Sequence, residues 1–254
     1  MAHFFSFVHI ALFFVAFIAG IIDTVAGGGG LITVPVLTLS GMSAVTALGT
    51  NKLQSAIGEL SATIRFWKAG NVDYHKIILG IVFTIVGSSI GTFFIQIVPQ
   101  SQSNKIIPWL LLLFFIYYIF SPNQNKVSLE KDLPKNPRKL IPMGLIIGFY
   151  NGFFGPGTGS IWTISLNRLY NLRINIATMY TKPLNIAGNI TALTLFTVGG
   201  QVDYPGALAM GIGSFLGGQA GASMVIYKDS RFLKLIFTTI MLLSILSSFI
   251  KVYY

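Results

Sequence analysis

Ten runs of apolar residues, parted by short polar breaks, set the pattern of this chain: roughly Phe4–Ile22, Leu31–Met42, Ala44–Trp67, Lys76–Val98 and Ile106–Phe120, then Leu140–Phe154, Ser160–Leu169, Ile174–Val198, Pro205–Tyr227 and Phe232–Val252. About 20 apolar residues in a helix cross the ~30 Å hydrocarbon core of a bilayer. The pattern therefore predicts an all-α polytopic membrane protein with eight to ten transmembrane helices. The second and seventh runs are too short to span as straight helices, and each follows a glycine-rich stretch, Gly27–Gly30 or Gly155–Gly159. These two are expected to be broken or re-entrant elements. The first run lacks a basic leading region and an A-x-A-like cleavage site, so it reads as a retained span.

The pattern occurs twice. Displaced by 130 residues, Ala47, Lys52, Gly58, Ala62, Phe66, Gly70, Val72, Asp73 and Tyr74 fall on Ala177, Lys182, Gly188, Ala192, Phe196, Gly200, Val202, Asp203 and Tyr204. A displacement of 128 aligns Gly20, Asp23, Gly27 and Gly29 with Gly148, Asn151, Gly155 and Gly157. Internal repetition on this scale marks a duplicated architecture. The expected organisation is a first transmembrane repeat at 1–121, a cytoplasmic linker at 122–138 and a second repeat at 139–254. The linker region carries Pro122, Pro134 and Pro137 among its charges, the composition of a connecting segment.

Composition sharpens this picture. Only 9% of the 254 residues are charged and 53% are hydrophobic, with a mean hydropathy of +0.73. An ordinary soluble domain carries about 25% charged residues, so this chain cannot clothe a water-facing surface. A net charge of +10 would suggest nucleic acid in a soluble protein, but here Lys and Arg sit between apolar runs, where the positive-inside rule puts them, and no nucleic-acid partner is expected. Ten crossings with both termini outside place Arg65, Lys68, Lys76, Lys126, Lys131, Lys135, Arg138, Lys139, Arg168, Arg173, Lys228, Arg231 and Lys234 in the cytoplasm. Five crossings per half make the repeats inverted; four would make them parallel and break the charge rule. The absence of cysteine removes thiolate metal sites and Cys nucleophiles. No metal site, cofactor, catalytic set or enzyme activity is expected. Trp109, Tyr117, Tyr118, Tyr253 and Tyr254 read as interfacial anchors, and Gly87-xxx-Gly91 and Gly213-xxx-Gly217-xxx-Gly221 as helix-packing ridges.

Ionisable residues inside membrane segments are costly and therefore mark function by default. Asp23, Glu59, Lys52 and Lys182 are the candidates, the lysines at equivalent repeat positions. Inverted repeats bring equivalent elements together near the midplane, where transporters bind substrate between broken helices. Two ammonium groups meeting there would repel unless an anion lay between them. Thr50, Asn51, Gln54, Thr181, Asn185 and Asn189 supply neutral hydrogen bonds, and Gly28, Gly29 and Gly157 expose amides at the starts of half-helices. Asp23 and Glu59 are the candidates for proton coupling. Other readings stand beside these: Lys52 pairing with Glu59 or snorkelling to an interface, Asp23 capping the segment after it, the glycines acting as a hinge, and Asp73 and Asp203 capping the helices they precede.

At these motifs the sequence resembles the TauE/SafE sulfite-exporter family, also called TSUP or DUF81. The resemblance rests on Ile22-Asp23-Thr24-Val25-Ala26-Gly27-Gly28-Gly29-Gly30, on Gly49-Thr50-Asn51-Lys52-Leu53-Gln54, on Gly148-Phe149-Tyr150-Asn151-Gly152 through Gly159, and on Thr181-Lys182 with Asn185 and Gly188. It implies a multi-pass transporter of sulfur-containing anions in the bacterial inner membrane. The expected function is thus a secondary transporter, in the exporting direction, for sulfite or an organosulfonate, with an anion channel using the same lysines as the alternative. Its expected partners are a small anion and the lipid bilayer.

Overall fold

Hydrophobic helices that end at glycine, proline or a capping side chain account for the architecture. The structure, a computed structural model, describes residues 2–70, 73–120, 132–134, 137–227 and 242. Its α-helices run α1 Ala2–Ala26, α2 Gly30–Leu39, α3 Ala44–Lys68, α4 Ile78–Ile97, α5 Gln100–Phe120, α6 Leu140–Phe153, α7 Thr158–Tyr170, α8 Ile174–Val198 and α9 Tyr204–Tyr227, with a 3₁₀ turn at Tyr74–Ile77 leading into α4. No strand occurs among the described residues. The tenth expected run, apart from Leu242, and the linker residues 122–131 and 135–136 lie outside the described residues, as do the side chains of Tyr117, Tyr118, Tyr253 and Tyr254.

Capping fixes the helix starts that sequence alone pointed to. The Ser43 hydroxyl accepts from the Thr46 amide at 3.1 Å to open α3, and Asp203 Oδ2 accepts from the Gly206 amide at 3.0 Å to open α9. Asp73 does the same for the 3₁₀ turn through the His75 amide.

Among the described residues, three helices are long and apolar enough to cross a membrane: Phe7–Ala26 within α1, Tyr74–Ile97 and α9. They turn their bulk outward. Phe7, Ile10, Phe14 and Ile18 make an exposed stripe on α1 at helical spacing, and Val82, Ile85, Val86, Ile90, Phe93 and Phe94 do so on α4. Apolar surface of this extent suits hydrocarbon and not water. The small residues face the other way. A Cβ at Gly87 or Gly91 would run into the α6 backbone at Leu145 or Phe149, and one at Gly213 or Gly217 into α1 at Phe13 or Phe17. Absence of side chains therefore brings α4 onto α6 and α9 onto α1 at backbone contact, the packing that small-xxx-small ridges permit.

Two apolar clusters occupy opposite ends of the bundle. One joins α1, α2 and the start of α3 to Phe196 near the end of α8. The other joins the end of α3 (Phe66) to Ile77, Leu133, Leu140, Leu172 and the start of α8. Arg65, Lys68, Lys76, Arg138, Lys139, Arg168 and Arg173 all flank the elements of this second cluster. Between the clusters lies a layer of buried polar side chains.

A polar chamber between two helix starts

The polar layer is built by four elements. On α3, Asn51, Ser55 and Glu59 recur every four residues and so share one face. Asn185 and Asn189 do the same on α8. The other two contributors are the segments where α1 gives way to α2 and α6 to α7. Gly27 and Gly155 sit at these breaks with φ of +74° and +95°, the left-handed region that glycine enters without strain. A Cβ at Gly155 would strike Lys52 Nζ, and one at Gly27 would strike the backbone of Gly159 and Ser160.

Together these elements line a small polar cavity of about 10 Å³, its wall formed by Asp23, Gly27, Gly30, Asn51, Ser55, Glu59, Asn151, Gly155, Gly157, Thr158, Gly159, Asn185 and Asn189. The first residues of α2 and α7 are part of this wall, so positive dipole ends meet at the chamber.

Both candidate lysines are almost wholly buried, Lys52 with 1% exposure and Lys182 with none. Lys52 Nζ donates to the Asn151 carbonyl at 2.6 Å, to Asn151 Oδ1 at 3.0 Å and to Asn189 Oδ1 at 3.3 Å. Lys182 Nζ donates to the Asp23 carbonyl at 2.5 Å and to Asp23 Oδ2 at 3.0 Å, with Glu59 Oε1 at 4.0 Å. Each lysine thus reaches into the other half of the chain, and the two partner sets occupy positions that the sequence displacements of 128 and 130 residues equate. Their chemistry differs, since one lysine has amides and the other carboxylates. The expectation that the two ammonium groups need an external anion to avoid repulsion is corrected accordingly: each already has acceptors from the protein, because the fold pairs a lysine with the partner half and not with its own helix. Lys52 does not use Glu59 as its hydrogen-bond partner. Glu59 lies about two turns further along α3 and takes the amides of Asn185 and Asn189 at 2.8 Å each, with Lys182 beyond.

Asp23 caps the segment after it, as one reading had it, and also pairs with Lys182. Its Oδ1 accepts from the Gly29 amide at 3.0 Å, tying down the residue before α2, while Oδ2 faces Lys182. Of the neutral residues expected at the site, Asn51, Asn185, Asn189 and Gly157 line the chamber. Thr50, Gln54 and Thr181 are used elsewhere. Thr50 Oγ1 accepts from the Asp203 amide at 3.0 Å, Gln54 Nε2 donates to Ser214 Oγ on α9, and Thr181 pairs with Thr163 of α7 at 3.0 Å. On α3 the cause is angular: positions 50 and 54 sit about 100° around the helix from 51 and 55, and so face different neighbours. Gly28 and Gly29 fall outside the wall while Gly27 and Gly30 form part of it. Asn151 and Ser55 also line the wall without having been expected there. Asn151 carried a signal, being the repeat counterpart of Asp23, and Ser55 likewise matches Asn185.

A charged, hydrogen-bonded chamber wrapped in helices whose outer faces are apolar defines a membrane transporter. Sequence similarity makes the assignment specific. The chain belongs to the sulfite exporter TauE/SafE family, whose model matches residues 12–248. It is 37% identical over 227 residues to a Haemophilus influenzae protein named "Probable membrane transporter protein", covering 88% of this chain and 87% of that one. Escherichia coli K12 "Probable membrane transporter protein YfcA" is 38% identical over 223 residues, 88% of this chain and 82% of the relative. A Sinorhizobium protein, "Probable membrane transporter protein ORF9", is 36% identical over 223 residues, 88% of this chain and 85% of its own length. No solved structure matches the chain.

Proposed function

We propose that the protein is a secondary transporter that exports a small sulfur oxyanion, sulfite or an organosulfonate, across the bacterial inner membrane. In this reading its two halves, 1–121 and 139–254, are inverted repeats joined by a cytoplasmic linker, and the chamber at the starts of α2 and α7 is the substrate site. The observation that carries it is the pair of buried lysines at equivalent positions, each hydrogen-bonded to residues of the wall of one polar chamber. An anion there lies against two helix N-termini and beside the residues that hold the two ammonium groups, in a medium where water competes little, so each interaction is stronger than at a surface. Lysine suits a compact oxyanion as a point charge. Asp23 and Glu59 are the carboxylates available to carry a coupled proton. The family's designation as sulfite exporters supports both the substrate class and the direction. The basic residues flanking the second apolar cluster support a cytoplasmic position for that end of the bundle. An anion channel using the same site gains no observation of its own.

The experiment is thermal unfolding of the detergent-solubilised protein with sulfite, thiosulfate, sulfoacetate, taurine and sulfate, followed by flux of the best ligand in proteoliposomes. A ligand at 100 times its Kd stabilises the folded state by about 2.7 kcal/mol. Stabilisation by a sulfur oxyanion, and its loss in Lys52→Met/Lys182→Met, is the expected result. Undiminished binding and flux in that double variant removes the site.

A further inference from the structure

Of the buried side-chain polar atoms left without a partner among the described residues, one belongs to the chamber wall: Asn185 Oδ1. Its residue is 98% buried, with an exposure of 2%. The other end of the same amide is fully engaged, Nδ2 donating to Glu59 Oε1 at 2.8 Å, while Asn189 Nδ2 donates to Glu59 Oε2 at 2.8 Å. This arrangement fits an ionised Glu59, which only accepts. A protonated carboxyl instead has an O–H to give and needs an acceptor. Turning the Asn185 amide about its last bond supplies one, since the oxygen and the NH₂ exchange places with little change in shape. The same turn puts an N–H donor where an unpartnered acceptor had been.

The charges change in the same sense. Around Glu59 stand Asp23 from α1, Lys182 from α8 and Lys52 from its own helix; α2 and α9 bring no ionisable side chain between Gly30 and Leu39 or between Pro205 and Ile226. With all four groups ionised, two cations balance two carboxylates. A proton on Glu59 leaves one positive charge in excess. Lys182 stays matched by Asp23 at 3.0 Å, so the excess resides with Lys52, whose hydrogen-bond partners, Asn151 and Asn189, are neutral. Asn189 joins the two halves of the device directly, its Oδ1 on Lys52 and its Nδ2 on Glu59. An anion displaces a neutral amide from Lys52 more readily than a carboxylate from Lys182, and next to Asp23 it would meet a like charge.

We propose that Glu59 and Asn185 form a proton site coupled to anion binding at Lys52, so that one proton and the substrate anion load together. This rests on the anion-transport reading above and assigns to it the coupling ion, the sign of the coupling and the lysine that takes the anion; because an inward proton gradient favours inward movement of the loaded pair, outward flux in this scheme is driven by the anion's own gradient.

The test uses the full-length protein in lipid nanodiscs, with methanesulfonate, a monoanion of fixed charge, as the probe. Infrared absorption of the protonated carboxyl group is a second readout that needs no ligand. In the wild type a protonated-carboxyl band grows as pH falls, is missing in Glu59→Gln, and strengthens at fixed pH when methanesulfonate is added. Methanesulfonate affinity rises as pH falls, by up to about tenfold per unit for one linked proton. Glu59→Gln, which keeps the size and hydrogen bonding of the protonated form, binds it independently of pH. In Asn185→Leu the band moves to higher frequency, because the O–H has lost its acceptor. A Glu59 band indifferent to methanesulfonate, or a pH dependence that survives in Glu59→Gln, overturns the proposal; an unmoved band in Asn185→Leu overturns the role of Asn185. Should Asn185→Leu not fold, Glu59→Gln decides. Should methanesulfonate fail to bind at any pH while the band titrates and moves in Asn185→Leu, the organosulfonate reading falls and the proton site stands.

Discussion

Lys52 and Lys182 hold equivalent places on α3 and α8, yet one ammonium faces two asparagines and the other an aspartate with a glutamate behind it. A single atom type at the partner position, amide against carboxylate, decides which lysine has charge to spare. Asn151→Asp gives Lys52 the partner that Lys182 already has. It is expected to weaken oxyanion binding at least about tenfold, in line with the ~1.5–3 kcal/mol of a hydrogen bond to a charged group, read by titration of sulfite against thermal shift. Asp132, in the stretch between the halves, makes a different prediction. Partial burial raises its carboxyl pKa, but hydrogen bonds from Lys76 and Tyr180 outweigh that and hold it below the ordinary range. A depressed carboxylate stabilises the fold above its unfolded pKa and loses that contribution as pH falls through the folded value. Unfolding temperatures compared at neutral and acid pH should therefore fall less steeply in Asp132→Asn than in the wild type.

The helices were legible because their signals are local. The eighth run, Ile174–Val198, coincides with α8, and the sixth and ninth differ from α6 and α9 by a single residue. Asp73 and Asp203 cap the turns they precede, as their positions indicated. Glycine ridges were readable for the same reason, since a four-residue period of small side chains names a face without naming its partner. That partner came from the fold: α6 for Gly87 and Gly91, α1 for Gly213 and Gly217. Gly217→Leu or Gly87→Leu forces a side chain into a facing backbone. Overpacking costs about 1–3 kcal/mol where neighbours can move, and a backbone moves less, so each variant should show at least that loss in thermal unfolding. Trp109, expected at an interface, is 55% exposed near the middle of α5.

Across the whole molecule, polar groups lie inside and apolar faces outside, with basic residues gathered at the end marked by Phe66, Ile77 and Leu172. The proposed inverted topology sends the C-terminal end of α3 to one side of the membrane and the C-terminal end of α8 to the other. A chain without cysteine makes this directly measurable, because each introduced cysteine is the sole thiol. With an impermeant maleimide on intact spheroplasts, Gln100→Cys and Val198→Cys are expected to label and Lys68→Cys and Arg138→Cys to stay protected. Labelling of Gln100→Cys with protection of Val198→Cys would indicate parallel halves instead.

Membrane residence, helix positions, the duplicated motifs and the four ionisable residues within membrane segments were determined by sequence alone, because burial in lipid, helical period and repetition all leave their marks along the chain. Which of those residues meet was decided only by tertiary structure. Asn51 and Thr50 are neighbours in sequence, but one enters the chamber and the other receives the Asp203 amide. Lys182 and Asp23 are 159 positions apart and in contact. Side-chain partnership depends on where a helix is rotated and on what packs against it, and neither is encoded within a few residues of the group concerned.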